Sequence, residues 1–107
     1  MKDPREPTNR NGLRVRVGLN VKRLRRHNQI SQERLGLRAG LHRTEVGMIE
    51  HGGRTMQIDT AMKIAAALYV TVDALLEGVT WKGPHKIGDT GRFETDGREL
   101  GQGGMER

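Results

Sequence analysis

The chain of 107 residues contains no cysteine. Neither a disulfide framework nor a thiolate metal site can be built from it. Aromatic residues are nearly absent, with Tyr69, Trp81 and Phe93 the whole set. A core must therefore come from Leu, Ile, Val, Met and Ala. No apolar run approaches the roughly 20 residues of a membrane-spanning helix. The N-terminal MKDPREPTNRNG lacks the apolar stretch of a secretory signal. These absences fit a cytoplasmic protein without membrane contact. The usual catalytic sets are missing as well. His27, His42, His51 and His85 include no i, i+4 pair of the helical zinc-site kind. No Gly-rich loop carries the Lys and Ser/Thr of a phosphate cradle. The acids Glu33, Glu45, Glu50, Asp59 and Asp73 are scattered over helix starts and surfaces. Neither an enzyme nor a bound cofactor is expected.

What the chain has in excess is positive charge. The formal net charge is +6, and it is unevenly placed. Residues 13–78 hold 11 Lys+Arg against 6 Asp+Glu, whereas residues 79–107 hold 5 against 5. A basic domain attracts polyanions, largely through release of counterions from phosphates. Solubility alone also accounts for such a balance, so charge needs a motif beside it.

The motif is SQERLGLRAGLHRTEVGMIEHG, from Ser31 to Gly52. Leu35, Ala39, Leu41, Val46 and Ile49 give one apolar stripe on each side of a turn at Gly40-Leu41-His42. Gly36 leaves room for a second helix to approach the first. Gly40 suits the left-handed residue that ends a helix. Two short helices around such a turn form a helix-turn-helix, whose second helix enters the DNA major groove.

Ser31-Gln32-Glu33-x-Leu35, Ala39-Gly40 and Val46-x-x-Ile49-Glu50-x-Gly52 resemble the lambda-repressor-like (Cro/cI, XRE) family of DNA-binding domains. The resemblance extends back to Val21-Lys22-x-Leu24-Arg25. It runs forward to Ile64-Ala65-x-Ala67-Leu68-x-Val70 and Val72-Asp73-x-Leu75-Leu76. It implies an all-α fold of five helices over residues 13–78, in a bacterium or phage. Gly36 stands where the family usually has Ala, and His42 where it usually has Ser or Thr. The implied function is a sequence-specific transcriptional regulator of duplex DNA, a repressor acting as a homodimer. The rival is an antitoxin that autoregulates its operon, with a toxin or other regulator as protein partner.

Arg43 and Thr44 begin the second motif helix, the part that reaches base edges. Arg can donate twice to guanine, and Thr offers a hydroxyl and a methyl. Arg43 can alternatively hold a phosphate. Gly47 reads nothing but allows close approach. Met48 packs on a thymine methyl or belongs to the core. Ser31, Gln32, Lys22, His42, His51 and Arg54 are the phosphate candidates. In the family, the residues matching Arg25 and Glu50 often form an ion pair. The alternative is that both are exposed and contribute little.

Outside the motif, residues 1–12 read as a flexible basic arm. A first helix is expected over about 15–28, with Val17, Val21 and Leu24 on one face. A fourth is expected over 58–69, with Ile58, Ala61, Met62, Ala65 and Leu68 inward. Thr71 should cap a short fifth helix, Val72–Glu77. Beyond residue 78 the tail is Gly-rich. Val79–Lys82 and Arg92–Thr95 are candidate strands of a hairpin, expected either to pair with a partner copy or to stay unfolded. The last residues, 96–107, read as disordered.

Overall fold

The computed structural model describes residues 9–97. Five helices are followed by a two-stranded antiparallel hairpin. The helices are α1 (Arg10–His27), α2 (Gln32–Ala39), α3 (Arg43–Glu50), α4 (Ile58–Ala67) and α5 (Val72–Leu75). The strands are β1 (Val79–Lys82) and β2 (Arg92–Thr95). The core is aliphatic: Val21, Leu35, Val46, Ile49, Ile64, Leu68 and Leu75 are its fully buried centre. Among the described residues, no helix is long and apolar enough to cross a membrane.

α1 starts five residues earlier than its apolar periodicity suggests. Asn9 takes a left-handed conformation (φ 61°), and its side chain accepts from the Gly12 amide at 3.2 Å. This cap removes Arg10, Asn11 and Gly12 from the expected arm; residues 1–8 lie outside the described residues. Arg25, Arg26 and His27 fill the last turn, where positive charge suits the carbonyl end of a helix.

Two polar residues of α1 are buried, which hydrophobic patterning does not reveal. The Asn20 amide nitrogen donates to the carbonyls of Leu75 and Glu77, both at 2.9 Å, tying down the end of α5. Arg16 is 3% exposed and its Nη1 lies 2.6 Å from Asp96 Oδ1. Asp96 directly follows β2, so this pair straps the hairpin across α1. Asn9 adds a bond from its amide to the Phe93 carbonyl.

The hairpin expected at Val79–Lys82 and Arg92–Thr95 forms, and it lies on α1 of the same chain rather than staying unfolded. Trp81 faces Phe93 in register, with ring centroids 4.8 Å apart in an edge-to-face contact. Asp96 also belongs to this ordered strap, although residues 96–107 read as disordered. A bare hairpin is marginal in water, and packing on a helix supplies what it lacks.

α4 is shorter than expected, and its buried face is rotated. Ile64, Ala65, Ala67 and Leu68 are inward, whereas Ile58 and Met62 are 81% and 60% exposed. Two apolar stripes adjoin on this helix, and the one containing Ile64 wins the core. Ile58 and Met62 instead edge a surface groove of about 260 Å³ together with Leu13, Met56, Val72 and Leu76.

Candidate nucleic-acid interface

α2 and α3 meet at a turn that the sequence sets up residue by residue. Ser31 caps α2, its Oγ accepting from the Arg34 amide at 2.9 Å. Gly40 ends α2 with φ 73°. At Gly36 a Cβ would sit 2.6 Å from the Leu41 carbonyl oxygen. The missing side chain lets the start of α3 fold back tightly on α2. His42 is the N-cap of α3, with Nδ1 accepting from the Thr44 amide at 3.0 Å. An imidazole thus does the capping that a hydroxyl usually does. With Nδ1 accepting, the ring proton resides on Nε2, which is left as a donor.

Val46 and Ile49 anchor α3 in the core, at 0% and 1% exposure. The opposite face is open. Arg43, Thr44 and Met48 are exposed, with Gly47 half-buried between them. Together with Gln32, His51 and Gly53 they line a shallow concavity of about 470 Å³. Six of the residues singled out from the sequence therefore share one surface. Ser31, His42 and Arg54 lie on the adjoining elements without lining it, and Lys22 sits on α1.

Below this surface lies a charged chain. Arg25 donates to Glu50 through Nε at 2.6 Å and through Nη2 at 3.1 Å. Its Nη1 donates to the Ile30 carbonyl at 2.8 Å. The two side chains are 11% and 3% exposed, so the pair is buried. Glu50 Oε1 accepts a further bond from Gln32 Nε2 at 3.0 Å. This chain links α1, the end of α3 and the start of α2, fixing the angle at which α3 is presented.

Arg54 is not a free cation. Its Nη1 lies 3.3 Å from Glu45 Oε2, and its Nη2 lies 3.8 Å from the Met48 sulfur. Both partners are on α3, so the loop after α3 is folded back along the helix. Glu45 had no signal in the sequence, because the loop geometry that brings Arg54 to it is irregular. Gly18 was likewise missed as a structural requirement. Its absent Cβ leaves space for the end of α3, whose Glu50 carbonyl oxygen would lie 2.6 Å from that atom. Only the crossing of α1 and α3 reveals this.

A basic domain, a buried ion pair steadying one short helix and an open polar face on that helix define a helix-turn-helix DNA-binding module. The chain belongs to the Helix-turn-helix (HTH_3) family, whose model matches residues 21–75, and is a DNA-binding transcriptional regulator of the lambda-repressor-like type. It is similar to Control protein C.BamHI of Bacillus amyloliquefaciens, 37% identical over 71 residues, which cover 65% of this chain and 88% of that protein. Control protein C.SmaI of Serratia marcescens is 40% identical over 57 residues, covering 53% and 68% of the two chains. The restriction-modification controller protein C.AhdI from Aeromonas hydrophila superposes with a TM-score of 0.61 at 31% identity, covering 63% of this chain and 97% of that one. The DNA-binding domain of the P22 c2 repressor matches with a TM-score of 0.56 at 22% identity, over 58% and 82% of the chains, a likeness of fold alone.

Proposed function

We propose that the protein works as a homodimeric repressor in the bacterial cytoplasm, by binding rather than catalysis. Two copies present α3 to successive major-groove faces of one operator and exclude other proteins from an overlapping promoter. The observation that carries this reading is the open face of α3, held by the buried Arg25–Glu50 pair. The resemblance to control proteins supports genes of a restriction-modification system as the regulated set.

In this reading Arg43 and Thr44 contact base edges and Met48 packs on a thymine methyl. Gly47 admits the helix backbone close to the groove floor. Ser31, Lys22, His42, His51 and Arg54 hold phosphates, which fix register without reading sequence. The second copy is assigned to the apolar face of Ile58, Met62 and Leu76, beside the loop that carries Arg54. Exposed apolar patches of this kind mark association surfaces. The two recognition helices would then lie about 34 Å apart, one turn of DNA.

Binding-site selection with the purified protein should return a two-fold symmetric sequence. Light scattering should give twice the 12.0 kDa chain mass. Met62→Glu should give the single-chain mass and weaker operator binding. An asymmetric site, or a monomer that binds as tightly as the wild type, would overturn the homodimer.

A further inference from the structure

Gln32 opens α2, where a side chain has no structural need to turn inward, yet it is tied to Glu50. A carboxylate only accepts hydrogen bonds, so the amide must present its nitrogen to Glu50. Arg25 holds the same carboxylate through two bonds. The orientation of the Gln32 amide is therefore fixed before any ligand arrives. Its oxygen is directed away from Glu50, and its nitrogen keeps one further N–H.

The amide also lies under the one residue of the α3 face that has no side chain. A Cβ at Gly47 would be 3.7 Å from Gln32 Oε1 and 3.9 Å from Nε2. Any longer side chain at position 47 would extend over these atoms. With glycine there, Gln32 lines the same concavity as Arg43, Thr44 and Met48. An amide oxygen and an amide N–H side by side match the N6 donor and N7 acceptor of adenine in the major groove.

We propose that Gln32 is a specificity-determining residue that reads an adenine through the gap at Gly47, with its amide pre-oriented by Glu50. This rests on α3 being the helix that enters the groove. The role is distinct from holding a phosphate, which would add affinity without sequence preference.

The test uses the full chain and the duplex that it selects. Each adenine of that duplex is replaced in turn by 7-deazaadenine, which lacks the N7 acceptor. Wild-type binding should fall about 5- to 100-fold at one adenine per half-site, the range for loss of a base contact. Gln32→Ala should bind the unmodified duplex more weakly by a similar factor and be indifferent to 7-deazaadenine at that position. Gln32→Met, which keeps the aliphatic stem, is the second variant and is read in the same way. Thermal melting of both variants checks that they are folded. The inference is overturned if no adenine is sensitive, or if both variants stay sensitive at the same position. It is also overturned if the variants weaken all duplexes equally, which is the phosphate outcome and leaves the DNA-binding reading intact. A wild-type protein that selects no duplex at all would overturn both.

Discussion

At Gly18 and Gly40 the same residue type answers two different constraints. Gly40 needs its left-handed φ, and a Cβ there would meet nothing within 4 Å. Gly40→Ala should cost about 1 kcal/mol in urea unfolding, through backbone strain alone. Its DNA affinity well below the melting temperature should be unchanged. Gly18 needs space, because a Cβ would press on carbonyl oxygens of α3. Gly18→Ala should cost about 1–3 kcal/mol and should also weaken operator binding in the folded state, since α3 has to shift. Equal effects on binding would contradict this division. The buried Arg25–Glu50 pair gives a second expectation. Removing either partner leaves a charge poorly compensated, at a cost of about 3–5 kcal/mol. A double-mutant cycle should show strong coupling, and zero coupling would deny the pair any net role. Gly40 was legible from its place between two apolar stripes. The pairing of Arg25 with Glu50 had only resemblance behind it, because 25 residues of chain separate them. A glycine inside a helix reads only as a weak point, and nothing local to Gly18 shows its constraint, which another element makes.

The elements were legible where hydrophobic periodicity and caps agree. α2, α3 and the turn between them carry Ser31, Gly40 and clean apolar stripes, and they fall where the sequence placed them. α4 shows the limit of that signal. Ile58 and Met62 have the right spacing for a core stripe, but Ile64 and Leu68 occupy the core. Periodicity identifies an amphipathic helix without deciding between two adjacent apolar faces. α1 fails in the other direction, because its inward face contains Arg16 and Asn20. Their partners are carbonyls and a carboxylate far along the chain. Asp96 is 35% exposed at its side chain and Arg16 only 4%. Asp96→Ala should therefore destabilise by less than a fully buried pair does, about 1–2 kcal/mol. Chemical denaturation should detect it, while the β1–β2 hairpin holds the Trp81 fluorescence of the native state below the transition. No loss of stability would mean that the strap contributes nothing.

For the whole molecule, charge is the property that the sequence displays most directly. The +6 total is carried mainly by residues 13–78, which also form the helix-turn-helix domain. Log affinity for duplex DNA should fall linearly with log salt, with a slope of about −0.9 per neutralised phosphate. Titrations at several salt concentrations would show it, and a salt-independent affinity would remove the phosphate contacts from the account. The strap has a consequence in time as well as in space. Arg16 and Asp96 are 80 residues apart, almost the full span of the described chain. At roughly 5–20 residues per second of synthesis, Asp96 is made about 4–16 s after Arg16. During that interval the nascent helices can assemble, but the guanidinium of α1 lacks this carboxylate. A fragment released early, or clipped before residue 96, keeps the same handicap for good. The hold of the late segment on α1 can therefore form only once residue 96 has been made.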